Sequence, residues 1–414
     1  MKKTELKNLL KDKKVQNLTF LNKFWQTSFS KAEKEKLKLF IKAHSLKEKS
    51  HSPKIISLKL KLPLGTIQKW LNLTSIPYIA HYISYYSKIK QKRGMFLSIN
   101  STRGGMLKGP WIKIPDKIKK YDDIKKVINQ LSQNEKAHLS FAYILGFMVG
   151  DAGKPANNRK NRVTRRIQVR LTTKHKTNED LGNYVKFCLE SLNLRINKTK
   201  NCPQGKRNTH DFYSWHSQCS QIIEWMFKVC LGLKENELTT YNSIKADWIL
   251  KSPKQFKIKF LQGIADSDGY IDITQFRAGI VTKPNANFIK KIFDSLNIHS
   301  NIGNVHNKTL QQVKIRLEDA NKLPLFNPEV SLYRHQLMKK IMKAKKLHYH
   351  WPKWLCEEIN SYLKQNISST EIIKNVLDKH NIIIRQGGIW KRRNKIKMNK
   401  KNLTVLGIES TAQF

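Results

Sequence analysis

Two aspartates occupy equivalent positions in an internal repeat. Asp151 follows the apolar segment in FAYILGFMVGDAG, and Asp268 follows the one in FKIKFLQGIADSDGYI, 117 positions later. Each segment predicts a buried helix, so each aspartate lies at a helix C-terminus, where the last backbone carbonyls have no partner within the helix. Carboxylates among carbonyl oxygens form a site that suits Mg²⁺. The two aspartates therefore predict a divalent-metal site capable of phosphodiester hydrolysis.

Small residues in both helices would bring the two aspartates together. They lie four positions apart, which places them on one helix face: Gly146 and Gly150 in the first helix, Gly263 and Ser267 in the second. Small side chains on such a face let two helices approach closely. We therefore predict that the helices pair about a pseudo-twofold axis and bring the two carboxylates side by side.

Two segments that follow the helices alternate like strands with one buried face. The polar positions of VTRRIQVRLTTK and of QQVKIRLED are Arg166, Gln168 and Arg170, and Gln312, Lys314 and Arg316. These side chains carry the donors that bind phosphates and base edges. The polar faces of the two strands are therefore predicted to contact nucleic acid.

The charge balance indicates the same partner. The 414-residue chain has 79 Lys and Arg against 30 Asp and Glu, a formal net charge of +49. Basic side chains that bind phosphates release condensed counterions, so nucleic acid is the expected polyanion. Hydrophobic residues make up 39% of the chain, which is enough for folded cores and argues against a disordered basic tail.

Other features of the sequence argue against a membrane protein and a secreted one. No apolar run is long enough to span a bilayer, so we expect no membrane partner. The basic N-terminus is followed by no signal-peptide core, and five unevenly spaced cysteines make no disulfide framework. We expect an intracellular monomer, in the cytoplasm or nucleoid, or in an organelle if the host is eukaryotic.

Composition and periodicity divide the chain into five segments. They are a helical N-terminal domain (1–95), a basic linker (96–135) with a helix over 121–131, a first repeat (136–255), a second repeat (256–348) and a C-terminal helical domain with a basic tail (349–414). Both terminal domains contain short helices joined by a turn, which is the pattern of a helix-turn-helix.

The helix-turn-helix candidates supply further contacts. In SPKIISLKLKLPLGTIQKWL, the apolar face of the first helix includes Ile55, and Thr66 would cap a second helix that presents Gln68 and Lys69 to a major groove. In the C-terminal candidate, QGGIWKRR predicts a helix whose Lys391, Arg392 and Arg393 would contact DNA.

At its two acidic motifs the sequence resembles the LAGLIDADG homing endonucleases. The segment LQGIADSDG (261–269) matches the family signature closely and has Asp268 at its eighth position. The segment ILGFMVGDA (144–152) has Asp151 at the same position, although Ala152 replaces the usual Gly and Gly153 follows it. The resemblance spans the two repeats, and two motifs in one chain look like the single-chain members of the family.

This resemblance implies an α+β fold. Two pseudo-symmetric αββαββα-type repeats would form a saddle on DNA, with the small all-α helix-turn-helix units at both ends. It also implies scission of both strands of a long duplex, in the homing of an intron or another mobile element. Asp151 and Asp268 would bind Mg²⁺ or Mn²⁺.

The family also uses basic residues near the scissile phosphates. Lys174 and Lys283 end the matching segments LTTK and IVTK, so they are the candidates for this role, and Lys200 and Lys308 on later loops are the alternatives.

Two other functions fit a chain of this kind. One is an RNA maturase of LAGLIDADG type, which would bind intron RNA, and the other is a DNA-binding regulator without catalysis. The presence of both aspartates favours the nuclease. The helix-turn-helix candidates favour duplex DNA, because the major groove of A-form RNA does not admit a helix.

Overall fold

The computed structural model describes residues 31–77, 79–80, 95–101, 107–150, 167–172, 176–201, 212–217, 220–234, 237, 242–305, 310–347 and 350–405. The chain divides into two compact units, Met1–Lys259 and Phe260–Phe414. The division falls inside the second motif helix, close to the boundary that the sequence predicts between the two repeats.

The first three described helices form a small bundle. They are α1 (Lys31–Glu48), α2 (Pro53–Leu60) and α3 (Leu64–Leu71), and each packs against the other two. The centre of the bundle is apolar, because Phe40 meets the ring of Trp70 edge-on, with 5.6 Å between ring centroids, and Ile56 and Ile67 are buried.

Two details of this bundle differ from the sequence expectation. The helix α3 begins at Leu64, directly after Pro63, so Thr66 lies inside the helix and the prediction that it is the cap is wrong. Proline fixes φ near the helical value and therefore starts the helix earlier than the threonine would. Ile55, predicted to lie on the buried face of α2, is 44% exposed.

The segment with the composition of a linker contains regular structure. It forms an antiparallel hairpin of β1 (Met95–Ser101) and β2 (Leu107–Ile114), followed by α4 (Tyr121–Leu131), which has the predicted bounds. Ile112 and Ile114 of β2 are buried, and their spacing of two positions puts them on one face of the strand. The sequence did not predict this hairpin, because the Gly, Pro and Lys content of 96–135 is typical of a linker.

The first repeat packs one helix against a three-stranded sheet. After α5 (Ala137–Gly150) come β3 (Gln168–Thr172), α6 (Lys176–Glu190), β4 (Ile196–Asn201) and β5 (Phe212–Ser217), with the antiparallel order β3-β5-β4. The buried indole of Trp215 lies against Gly182 of α6, at a place where a Cβ atom would meet Trp215 Cη2 at 2.5 Å. Helix α7 (Gln221–Trp225) then continues as a π-helical turn, Met226–Cys230.

The second repeat contains a four-stranded antiparallel sheet. Its elements are α8 (Lys254–Asp268), β6 (Gly269–Asp272), β7 (Arg277–Thr282), α9 (Ala286–Asp294), β8 (Ser300–Asn304), β9 (Gln311–Arg316) and α10 (Leu317–Lys322), with the strand order β6-β7-β9-β8. Helices α9 and α10 pack against strands of this sheet, where Ile280, Val313 and Ile315 are buried. The predicted pseudo-symmetry relates two separate units, and it stays a prediction.

The last part of the chain, from Leu332, is mainly helical. It consists of α11 (Leu332–Lys343), β10 (Lys345–Leu347), α12 (Lys353–Lys364), α13 (Ser369–His380), β11 (Ile382–Ile384) and α14 (Gln386–Val405). The short strands β10 and β11 pair in parallel. The predicted action of α13 and α14 as a helix-turn-helix stays a prediction.

Two adjacent glycines in α14 have very different surroundings. A Cβ atom on Gly388 would meet the indole of Trp351, with Cη2 at 2.7 Å, whereas a Cβ atom on Gly387 meets nothing within 4 Å. The guanidinium carbon of Arg392, on the same helix, lies 5.5 Å from the centroid of this indole. Close approach of helix and indole therefore requires glycine at position 388 only.

We predict opposite results for alanine at the two positions. Gly388→Ala should lower the free energy of unfolding of this part of the chain by about 1–3 kcal/mol, because the methyl group overpacks the indole. Gly387→Ala should leave it unchanged or raise it by up to about 1 kcal/mol, because alanine favours the helix. Urea unfolding followed by tryptophan fluorescence measures both, and equal stabilities would contradict the packing described here.

Candidate metal site and nucleic-acid interface

The acidic end of the second motif helix is built around a glycine. Asp268 is the last residue of α8 and is partly exposed, and Gly269 starts β6 without an intervening loop. A Cβ atom on Gly269 would collide with the carbonyl oxygen of Ala265 and would lie 2.9 Å from the ring of Phe326. Glycine is therefore needed for the helix to pass directly into the strand, and this sharp transition leaves the Asp268 side chain at the rim of the sheet.

The two aspartates of the motif have different environments. Asp266 is only 4% exposed, and its Oδ1 accepts hydrogen bonds from Asn327 N (3.2 Å) and Ser331 Oγ (2.9 Å). The buried carboxylate thereby fixes the segment before α11 to the motif helix. Asp268 is the more accessible of the two, and its role as a metal ligand stays a prediction.

Two of the last carbonyls of this helix, those of Ala265 and Asp266, are bound by a side chain from outside the helix, so they are not the free oxygen atoms that the sequence predicted. Arg334 Nη1 donates to Ala265 O at 3.1 Å and to Asp266 O at 3.3 Å. Ser267 Oγ lies 3.2 Å from Gly263 O and 2.9 Å from Ile264 O. Arg334 also places a positive charge at the negative end of the helix dipole, which is favourable. The carbonyl oxygens of Ala265 and Asp266 are therefore already engaged by Arg334.

The register of the second sheet brings a predicted basic residue to the same rim. Gly269 pairs with Ile280, so the end of β7 lies beside the start of β6, and Lys283 follows that end. The exposed Lys283 and the partly exposed Asp268 thus lie at one end of the sheet. The loop between β8 and β9 is at this end too, since Asn304 pairs with Gln311. Lys308, the alternative in that loop, lies outside the described residues.

The first motif is described up to its acidic end. Every residue of α5 from Ser140 to Val149 is buried, as predicted for a motif helix. Asp151 and Lys174 lie outside the described residues, and the pairing of the two aspartates is therefore a prediction still. Lys200, the other alternative, lies in β4 and not on a loop. In the described part of the chain, no helix is long and apolar enough to cross a membrane.

The second sheet has one open polar face, as the alternation predicted. The side chains on this face come from all four strands: Tyr270, Asp272, Arg277, Val281, Asn301, Gln312, Lys314 and Arg316. Three of them are cations and one is an acid. The carboxylate of Asp272 is bound by its own turn, since its Oδ1 accepts from Thr274 N (2.9 Å) and Gln275 N (3.1 Å). The face is therefore positive and suits a phosphate backbone.

Gln312 is held in place on this face by its neighbours. The hydroxyl of Tyr270 donates a short hydrogen bond to Gln312 Oε1, and Gln312 Nε2 donates to Asn304 O at 3.3 Å. Burial, and secondarily the charge of Asp272, raises the pKa of Tyr270 above its usual value. The phenol therefore stays protonated and keeps donating at neutral pH.

The first sheet is also polar on one face. The register aligns Gln168, His216 and Asn197 across the three strands, and Ser214 and Thr199 lie in the next row. Gln168 therefore lies on the predicted face, in β3. Arg170 belongs to the same strand, but its side chain is outside the described part, as is the whole of Arg166. The opposite face carries the buried side chains of Val169 and Trp215.

The predicted DNA-contacting residues of the two terminal units differ in exposure. Gln68 and Lys69 are exposed on α3, and Lys391 is exposed on α14. The two arginines that follow it are only partly exposed and bind within the C-terminal unit: Arg392 contacts Asn360 Oδ1 at 3.3 Å and Cys356 Sγ, and Arg393 contacts Ile367 O at 2.9 Å. The guanidinium donors of Arg392 and Arg393 hold α14 to its neighbours, whereas Lys391 is exposed, and contact of the three residues with DNA stays a prediction.

We predict that Arg334 stabilises the end of the motif helix. Arg334→Met keeps much of the side-chain volume and removes both hydrogen bonds to the helix carbonyls, so the free energy of unfolding should fall by about 1–3 kcal/mol. Lys339→Met is the matched control, because Lys339 is exposed on the same helix, and its effect should stay within about 0.5 kcal/mol. Chemical denaturation of the two variants measures the difference. Equal losses would mean that the helix end does not depend on Arg334.

The chain matches no protein-family model and no curated protein. Among solved structures it is similar to variants of the homing endonuclease I-DmoI, with 17% identity and a TM-score of 0.33, over 46% of this chain and 94% of that one. It is similar to I-DmoI in complex with DNA and Ca, with 18% identity and a TM-score of 0.35, over 49% and 100% of the two chains. It is also similar to the N-terminal LAGLIDADG domain of DUF199/WhiA, with 12% identity and a TM-score of 0.29, over 46% and 83%. These structures come from the family that the two motifs of this chain resemble.

Proposed function

We propose that this chain is a divalent-metal-dependent DNA endonuclease of LAGLIDADG type that cuts both strands of a long duplex. The observation that carries the proposal is the placement of Asp268. A partly exposed carboxylate ends a buried helix and stands at the rim of an antiparallel sheet whose open face is basic. A phosphodiester bound on that face would come close to an acidic group, which is the arrangement that metal-assisted hydrolysis requires.

The described donors fit a hard divalent cation. Mg²⁺ keeps several of its waters and needs only one or two protein carboxylates, with substrate phosphates as further ligands. Among the described residues no group of three His, Cys, Asp or Glu could hold a metal ion, so a closed protein cage is absent from that part of the chain. Asp268, with Asp151 as its counterpart, would hold Mg²⁺ or Mn²⁺ together with the DNA. The ion, when bound, would activate water and stabilise the charge of the phosphate.

The chain's own basic residues would position the substrate. Lys283 shares the rim of the sheet with Asp268, so its ammonium group would attract the scissile phosphate and stabilise the charge that develops on it. Lys174 is proposed to do the same at the first motif. Arg277, Lys314 and Arg316 would bind the flanking duplex on the open sheet face, where phosphate contacts fix its register. Mobility of an intron or similar element is the biological role that such cleavage would serve.

Removal of either metal-binding carboxylate should abolish double-strand cleavage. In Asp268→Asn or Asp151→Asn, cleavage of cognate duplex with Mg²⁺ should fall at least about a thousandfold, since a ligand and its charge are lost at the reacting phosphate. Binding without metal should change little, because the phosphate contacts lie elsewhere. Gel assays of cleavage and of binding on the same duplex measure both.

Asp294→Asn provides the control for this experiment, because Asp294 lies on α9 of the same unit and pairs with Lys290 at 3.0 Å, away from the motif helix end. It should cut as the unaltered chain does. Undiminished cleavage by Asp268→Asn would overturn the assignment of the metal site.

The terminal units are proposed to lengthen the DNA contact. This proposal is supported by the exposure of Gln68 and Lys69 on α3 and of Lys391 on α14. Neither unit contains a paired acidic motif, so neither should take part in the chemistry. Each phosphate contact that such a unit makes adds about 0.9 to the slope of log affinity against log salt.

Two neighbouring residues of α14 separate binding from stability. Lys391→Ala should lower DNA affinity and reduce the salt slope by about 0.9, with an unchanged melting temperature, because an exposed phosphate contact is lost. Arg392→Ala should lower the melting temperature, because the hydrogen bonds to α12 and the stacking on Trp351 are lost. Salt titrations of DNA binding and thermal unfolding of the two variants test this. A Lys391→Ala chain with an unaltered salt slope would remove α14 from the interface.

A further inference from the structure

A tyrosine crosses one strand of the second sheet to reach another. Tyr270 lies on the edge strand β6 and is paired with Gly279 of β7, whereas its hydroxyl contacts Gln312 on β9, one strand further. The crossing depends on the glycine. A Cβ atom on Gly279 would lie 2.6 Å from both Cζ and Oη of the tyrosine, so any side chain at 279 would push the ring off the strand.

The tyrosine fixes the amide of Gln312 from one side and the β8 backbone fixes it from the other. An amide side chain has two N–H donors and two acceptor lone pairs on its oxygen. Tyr270 takes one lone pair, and Asn304 O takes one N–H at 3.3 Å. One donor and one acceptor of the amide remain available on the open face. Exchange of the amide oxygen and nitrogen would set two acceptors, the amide oxygen and Asn304 O, against each other, so the hydrogen bond to Asn304 fixes the orientation.

We propose that Gln312 is a pre-oriented reader of adenine in the major groove and that Tyr270 is the positioning residue that orients it. This inference rests on the proposed function. A fixed acceptor–donor pair on one amide matches the N6 donor and N7 acceptor of adenine, a pattern that no other base presents in the major groove. Fixing a flexible side chain before binding removes part of the entropy that recognition would otherwise lose. Lys314 and Arg316, further along β9, hold the duplex over the reader by its phosphates.

The test is competitive binding of the full-length chain to a pool of random-sequence duplex DNA, with EDTA present to prevent cleavage. Bound duplexes are recovered and sequenced for each variant. The unaltered chain should select adenine at one position of one half-site. Gln312→Ala should reduce that preference about tenfold, because a bidentate contact is lost. Gln312→Glu, which has only acceptors, should shift the preference from adenine to cytosine.

Variants around Gln312 test the positioning role. Tyr270→Phe removes one hydroxyl and should reduce the adenine preference about threefold to tenfold, the equivalent of one hydrogen bond. Gly279→Ala should have the same effect, because its methyl group displaces the ring. Gly303→Ala is the matched control. Gly303 lies on β8 and is paired with Gln312 of β9. A Cβ atom at Gly303 would lie 3.9 Å from Gln312 Cγ and Nε2, which is an ordinary contact, so the adenine preference should not change.

The outcomes separate the inference from the proposed function. If Tyr270→Phe keeps its fold and the full adenine preference, Tyr270 has only a structural role and the inference is overturned. The same holds if Gln312→Ala lowers affinity for all sequences equally, which is the behaviour of a phosphate contact. If the unaltered chain recovers no duplex at all, the proposed function itself fails. Tyr270→Phe keeps the test valid even if Gly279→Ala does not fold.

Discussion

The direct passage of the second motif helix into a strand is the constraint on which the candidate site depends. Glycine is the only residue type that fits at position 269, between the Ala265 carbonyl and the ring of Phe326. Because no loop separates α8 from β6, the position of the Asp268 carboxylate relative to the sheet is fixed by backbone geometry. A side chain at 269 would require a wider turn, and the carboxylate would then move away from the rim where Lys283 lies.

A helix that ends so abruptly leaves backbone carbonyls without partners, which is unfavourable in a buried setting. The chain satisfies them from a segment about 65 positions later, through Arg334, and it secures that segment with the buried carboxylate of Asp266. The same contacts separate the roles of the two aspartates of the motif. Asp266 serves the fold and Asp268 remains accessible, so the spacing of two positions between them places one inside and one at the rim.

The parts of the fold that follow from local pattern were predictable from the sequence. The helix 121–131, the burial of α5 and the alternation of β9 all depend on apolar spacing, and the structure has them where the spacing predicts. The hairpin of β1 and β2 was missed, because glycine and proline masked a short alternating strand. Arg334 and Tyr270 were missed because their partners are distant in sequence. Such contacts follow from strand register and helix packing, which no local pattern contains. The run from Lys391 to Arg393 is a different case. In the sequence its three basic residues indicated one contact surface, but helix periodicity directs the side chains of Arg392 and Arg393 towards neighbouring parts of the C-terminal unit.

The candidate metal site and the open face of the second sheet lie on a chain with a large excess of positive charge. On the open face of the second sheet three cations face one carboxylate, and that carboxylate is already bound by its own turn. The 30 acidic residues are already counted against the 79 Lys and Arg, so internal ion pairs leave a remainder of +49, which opposes compaction through self-repulsion. A bound polyanion would neutralise the remainder and stabilise the folded state by mass action. If the polyanion is DNA, as proposed, the same surplus of positive charge would accelerate encounter with any sequence, and discrimination between sequences would have to come from a few oriented side chains. A neutral amide held on both sides, as Gln312 is, would contribute to this discrimination without adding to the sequence-independent attraction of the charged groups.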